Sequence, residues 1–304
     1  MITQQLQWNY RKIKELIFYG NYFYGLCAVM LSIEAVLQQR FPLNNFIYFF
    51  LVFVATVLYY DYPYARKYKS TSTNPRTNWY SSHYNFVWWN QVLITFILLA
   101  AIVFFFYYYA DAILQINLVH WASLLIFPFV AALYYGINFF NIRKVGWLKP
   151  FIIGFTWAGL VTVYPVLFYD VIHLQQYHPG FISLLLFVKN LMFVSLLCIM
   201  FDVKDYAADY TNHLITFVVK LGLRKTIFNI LLPLSVLGLV SFIYYAVDHR
   251  FHVMKIILNI VPFVLLVAAA ISLKKKRSLM YYLVVIDGLM LVKAVCGIVA
   301  MRYF

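Results

Sequence analysis

Apolar residues along this chain gather into long unbroken runs, and the polar residues fall between them. Nine such runs lie near 15–36, 45–62, 88–109, 116–140, 149–170, 181–203, 227–247, 253–273 and 279–300. Each is long enough to cross a hydrocarbon core of about 30 Å as an α-helix rising 1.5 Å per residue. None shows the in–out alternation over about ten residues that marks a membrane β-strand. The pattern predicts an all-α, polytopic membrane protein with nine transmembrane helices. Residues 1–304 make a single transmembrane domain, with no internal repeat and no low-complexity tract.

Composition agrees with that pattern. The chain is 64% hydrophobic and 11% charged, whereas soluble domains carry about 25% charged residues. A net charge of +14 raises the question of nucleic acid, and its distribution answers it. The basic residues sit in short clusters between the runs, as membrane-topology signals do. With the N-terminus inside, the inner segments hold Arg11, Lys12, Lys14, Arg66, Lys67, Lys69, Arg76, Arg143, Lys144, Lys149, Lys204, Lys220, Arg224, Lys225 and Lys274 to Arg277. The outer segments hold Arg40, Arg250, Lys255 and Arg302. This bias predicts a cytoplasmic N-terminus and an outer C-terminus. No small-residue cleavage site follows the first run, so it is expected to be a retained helix in a bacterial inner membrane. Cys27, Cys198 and Cys296 all fall inside apolar runs and match no disulfide or metal spacing.

Two inner loops are longer than connection requires: Tyr62 to about Phe86, and Lys204 to Thr226. Long loops tend to carry binding groups. The second adjoins the most informative stretch of the chain, FDVKDYAADYTNHLITFVVKLG (201–222). At 100° per residue, Asp202, Asp205 and Asp209 fall within an arc of roughly 60° on one helix face. Three like charges so placed repel one another, and a divalent cation among them removes that cost. Mg²⁺ suits the position, since it accepts a few carboxylates and bridges to substrate phosphates. A solvated, ligand-free acidic helix end remains the alternative.

Asp202-x-x-Asp205-x-x-x-Asp209, with the tail Thr216-Phe217-Val218-Val219-Lys220-Leu221-Gly222, resembles the second aspartate motif of the UbiA superfamily of intramembrane prenyltransferases. The segment from Ile142 to Pro165 is also similar to a bacterial branch of that family. The family's first motif, N-D-x-x-D-x-x-x-D, corresponds here to Tyr60-Asp61 through Tyr68. Only Asp61 matches; Tyr60, Tyr64 and Tyr68 stand at the other motif positions.

The resemblance implies transfer of an isoprenyl group from a prenyl diphosphate to a lipophilic or aromatic acceptor, with Mg²⁺ assisting at the cytoplasmic face. It makes Asp202, Asp205, Asp209 and Asp61 the expected metal ligands. Arg66, Lys67, Arg143, Lys144, Lys149 and Lys204 are the expected grips on the diphosphate, and each also serves as a topology determinant. Aromatic residues, 27 Tyr and 29 Phe, supply rings to line a dry cavity and face a carbocation. The degenerate first motif leaves a second reading open: a non-catalytic isoprenoid-binding protein that lost one metal half-site. A transporter ranks behind both, because no paired helix interruptions occupy corresponding positions in two halves.

Other polar groups lie within the apolar runs. Glu34, Lys189, Asn190, Asp287 and Lys293 are expected to face the bundle interior or snorkel. Lys189 lies about 20 Å along its helix from Asp202 and is expected to snorkel to the outer interface. Asp287 and Lys293 fall on different faces, which argues against a direct pair. His173 and His178, with Asp170, and His249 and His252, with Asp248, would bind zinc only if two outer loops met. His213 follows the acidic motif.

Overall fold

A computed structural model describes residues 2–64, 74–135, 145–175 and 180–304. The described residues are helical apart from short turns and connections. They divide into two compact units. The first comprises Met1–Val29 and Asn44–Gln115, the second Met30–Leu43 and Ile116–Phe304.

In the first unit, α1 (Ile2–Tyr19) is followed by α2 (Tyr22–Gln38), whose residues from Met30 onward belong to the second unit. The expected run at 15–36 is therefore not one straight helix: the two helices meet at 61°. Asn21 causes the break. It adopts a left-handed φ of 61°, a conformation that Asn tolerates better than most residues. α3 (Phe46–Asp61) starts on Asn45, whose side chain accepts from the Tyr48 amide, and ends in a 3₁₀ turn, Tyr62–Tyr64. α4 (Pro75–Ser82) has Asn74 as its cap and Pro75 in its first turn, where the missing amide hydrogen costs nothing. α5 (Tyr84–Tyr108) and the short α6 (Ala110–Gln115) complete the unit. α3 packs on α5 through Val54, Val57 and Ile94, with Phe53, Leu58 and Leu98 around them. Large apolar side chains on α5, such as Trp89, Phe96, Val103 and Tyr107, remain exposed, as suits a surface solvated by lipid.

The second unit holds α7 (Leu118–Tyr135), α8 (Lys149–Ala158), α9 (Tyr164–Ile172), α10 (Phe181–Thr211), α11 (Phe217–Leu221) and α12 (Leu223–Thr226). It continues through α13 (Leu232–Asp248), α14 (Val253–Ser272), α15 (Leu279–Tyr281) and α16 (Gly288–Tyr303). Three π-helical turns sit inside longer helices, at Gly159–Val163, Ile227–Leu231 and Tyr282–Ile286. The first two directly precede Pro165 and Pro233. Proline removes an amide donor and clashes with the preceding turn, and a wider turn relieves that crowding.

Where they are described, the nine apolar runs fall on helices; residues 136–140 of the fourth run lie outside the described residues. Seven helices among the described residues are long and apolar enough to cross a membrane, and the bent α1–α2 pair makes eight. Of the run at 116–140, the described part is α7, with Leu118–Leu133 as an apolar helical stretch.

α8 lies against α10, joined by Ser195 Oγ donating to the Pro150 carbonyl at 3.1 Å. Several polar groups inside the unit are paired, as a low-dielectric interior favours. Asn190 donates to Thr162 Oγ1 at 2.8 Å, and Gln39 donates to the Thr162 carbonyl at 3.1 Å. Those bonds tie α10 and the segment after α2 to the π turn that follows α8.

Candidate functional site

The acidic end of α10 belongs to the second unit, and the three carboxylates there have different surroundings. Asp202 is fully buried, and its Oδ1 accepts from Lys149 Nζ at 2.8 Å. Its Oδ2 is buried without a hydrogen-bond partner. Asp209, two turns on, is also buried, and its Oδ2 likewise has no partner. The Lys149 ammonium acts electrostatically on Asp209 as well as on Asp202. Asp205 is different: its side chain is 40% exposed and pairs with Lys204 at 3.0 Å.

Local sequence explains this geometry. Lys149 opens α8 with Pro150 beside it, and the α8–α10 packing carries its ammonium to Asp202. Past α10, His213 takes a left-handed φ of 55° and turns the chain. Thr216 then caps α11 by accepting from the Val219 amide, and Gly222, with φ +80°, allows the turn into α12. The Thr216–Gly222 tail is thus a capped helical turn closing over the end of α10.

Two buried carboxylate oxygens at the end of α10 have no hydrogen-bond partner, while the Asp202 carboxylate is paired through its other oxygen with Lys149. Among the described residues, no three His, Cys, Asp or Glu side chains gather into a metal-holding group. Asp202 and Asp209 stand about 10 Å apart along the helix axis, so a Mg²⁺ held by them would need waters or phosphate oxygens to complete its coordination.

Asp61 lies in the first unit and has quite different company. It is 2% exposed, and its Oδ1 accepts from Asn21 Nδ2 at 2.7 Å and from Tyr80 Oη at 2.5 Å. Tyr80 Oη also lies 2.7 Å from the Tyr19 carbonyl. Burial, and then the adjacent Asp61 carboxylate, push the Tyr80 hydroxyl far above the usual phenol range, so it remains a donor. Arg76 donates to Asn21 Oδ1. Its guanidinium carbon lies 5.1 Å from the Tyr64 ring centre and 6.0 Å from that of Tyr80. The two rings stack at 4.1 Å. Nearby, Gln91 donates to the Asp61 carbonyl and borders a cavity of about 430 Å³. Leu58, Trp88, Val92 and Phe96 also line it.

No protein-family model matches the chain, and no curated protein matches it. Among solved structures, it is similar to a digeranylgeranylglyceryl phosphate synthase in membranes. The TM-score is 0.55 and the identity 16%, over 97% of this chain and 100% of that one. At that identity the likeness is one of fold.

The remaining expected site residues divide plainly. Arg66, Lys67, Arg143 and Lys144 lie outside the described residues, as does His178. Lys149 faces Asp202, and Lys204 is spent on Asp205. His173 and His249 place Nδ1 at 2.8 and 3.0 Å from the carbonyls four residues before them, and His252 caps α14. Sequence reasoning counted Arg76 only as a topology charge and passed over Asn21 and Tyr80. The available signal was an Asn beside Gly20 inside the first apolar run.

Proposed function

We propose that the protein is a UbiA-like membrane prenyltransferase. It moves an isoprenyl group from a prenyl diphosphate to a lipophilic or aromatic acceptor. One observation carries this reading: two buried, unpartnered carboxylate oxygens, on Asp202 and Asp209, beside a lysine. They stand on a fold shared with a digeranylgeranylglyceryl phosphate synthase. Mg²⁺, when bound there, supplies the positive charge that lets a diphosphate leave.

The chain's own residues do the rest. Asp202 and Asp209 hold their oxygens on one face of α10, two turns apart. Lys149 orients Asp202 through their hydrogen bond, and its charge adds to the attraction for phosphate. The capped turn at Thr216–Gly222 covers the site, and the surrounding apolar side chains keep water from the developing allylic cation.

Prenyl transfer by the purified protein with Mg²⁺ tests the reading. Asp202→Asn and Asp209→Asn are expected to lose activity by about 100-fold or more. Asp205→Asn, exposed and already paired, is expected to retain most of it. Full activity in both buried variants would exclude this site.

The surroundings of Asp61 favour a second reading, an isoprenoid-binding protein without turnover, because that carboxylate is already engaged by Asn21 and Tyr80. Bound isoprenoid without diphosphate release under Mg²⁺ would select it.

A further inference from the structure

Basic residues flank the ends of three spans in the second unit. The span Leu223–Asp248 begins beside Lys220, Arg224 and Lys225. Val253–Ser272 ends, and Leu279–Tyr303 begins, on either side of Lys274, Lys275 and Lys276. All six cations are exposed. In the sequence they form two separate topology signals. Orientation depends on how much charge lies near each span, and it asks nothing of where the cations meet in the fold.

The fold brings the two groups together. Lys274 Nζ lies over the Phe228 ring at 4.7 Å. Arg224 stands four residues before Phe228 on the same helical stretch, so the two are neighbours one turn apart. Cations from two different spans thus flank one spot, and like charges so placed repel. Among the described residues, none of the six pairs with a carboxylate.

Hydrogen bonds hold this corner in shape. Thr226 Oγ1 donates to the carbonyls of Phe217 and Gly222 at 3.2 and 2.9 Å, which locks α11 to α12. Arg277 Nε donates to the Ser272 carbonyl at 3.2 Å, and the Ser272 and Tyr281 hydroxyls meet at 2.6 Å. Apolar surface adjoins the cations: Phe228 is 43% exposed and Leu221 38%.

We infer that this corner is a docking site for the anionic headgroups of bilayer phospholipids. A headgroup phosphate lies between Arg224 and Lys274, removes their repulsion and links the start of one span to the end of the next. Arginine suits phosphate oxygens through its planar fork, and lysine adds a point charge. The exposed Phe228 and Leu221 select a lipid over a soluble phosphate, since acyl chains cover them while the headgroup meets the cations. Clusters of four to eight basic residues at the end of a span have this affinity in general. The site holds whether or not the protein transfers a prenyl group.

The test is a titration of the purified protein, in a neutral detergent, with short-chain phosphatidylglycerol or phosphatidylcholine of equal chain length. Native mass spectrometry counts the bound lipid. Lipid added from solution reaches both ends of the bundle, so the result does not depend on orientation. Wild type is expected to bind phosphatidylglycerol about tenfold more tightly than phosphatidylcholine. Arg224→Gln/Lys274→Gln should lose most of that preference. Lys255→Gln/Arg302→Gln, which removes the same charge at the other ends of two of these spans, should keep it. Equal affinity for the two lipids in wild type, an unchanged preference in the first double variant, or an equal loss in the second would each overturn the inference. Displacement of the lipid by an equal concentration of inorganic phosphate would also overturn it, by making this a site for soluble anions. If Arg224→Gln/Lys274→Gln does not fold, the exposed pair Lys275→Gln/Lys276→Gln decides: a weakened preference upholds the docking site, and an unchanged one sinks it.

Discussion

Burial separates three aspartates that helical spacing treats alike. Asp202, Asp205 and Asp209 share one face within roughly 60°, and so far the sequence was sufficient. It did not distinguish the two that are buried from the one that pairs outward, because that depends on where α8 lies against α10. The Lys149–Asp202 contact spans 53 positions, a separation no local pattern encodes. Its energetics follow from burial. Asp202 is fully buried, and Lys149 is 28% exposed at its side chain. Removing the cation alone strands a buried anion, so Lys149→Met is expected to destabilise the protein by about 3–5 kcal/mol. Adding Asp202→Asn should recover much of that loss, since an amide needs no counter-charge. Thermal unfolding of the two variants in detergent checks the pair. No recovery in the double variant would show that Lys149 acts mainly through its other contacts.

Hydropathy located the helices well at the level of elements, since it is a local property. It could not show which helices share a polar contact. Glu34 on α2 is 1% exposed and meets Lys293 Nζ of α16 at 2.5 Å, across 259 positions. Gln38 adds a bond at 3.0 Å. Lys189, expected to reach the interface, instead turns to Glu34 at 3.9 Å and over the Phe242 ring. Asp287 and Lys293 lie on one helical stretch, yet the partner of Lys293 is on α2. A lone charge in hydrocarbon costs several kcal/mol, so a mutual pair gives these helices one preferred arrangement. Gly297 makes the room, because a Cβ there would stand 2.5 Å from Glu34 Cγ. Gly297→Ala is expected to cost about 1–3 kcal/mol by overpacking. Lys293→Met should cost about 3–5 kcal/mol, with partial recovery on adding Glu34→Gln. Unfolding measurements on wild type, Lys293→Met, Glu34→Gln and the double variant form a double-mutant cycle for the charged pair. Independent, additive effects of the two polar substitutions would mean the contact does not join α2 to α16.

For the whole molecule, charge distribution remains the main guide to orientation. α14 offers the sharpest contrast. Beyond its C-terminus stand Lys274, Lys275, Lys276 and Arg277; before its N-terminus lie Asp248, His249 and Arg250. The basic cluster is anchored: Lys274 lies over the Phe228 ring at 4.7 Å, and Arg277 Nε donates to the Ser272 carbonyl at 3.2 Å. Four cations at one helix end, against a mixed and nearly neutral group at the other, bias insertion toward a cytoplasmic basic end. By the same rule the acidic end of α10 is expected on the cytoplasmic side, the side from which the proposed reading has the diphosphate enter. Because Asp248 and Lys275 are both exposed, each is a suitable site for a single cysteine on a background lacking Cys27, Cys198 and Cys296. An impermeant maleimide should label Asp248→Cys in intact cells and Lys275→Cys only after permeabilisation. The opposite pattern would invert the bundle. It would place Asp202, Asp209 and Lys149 on the far side of the membrane from the diphosphate, and the transferase reading would lose its substrate along with its orientation.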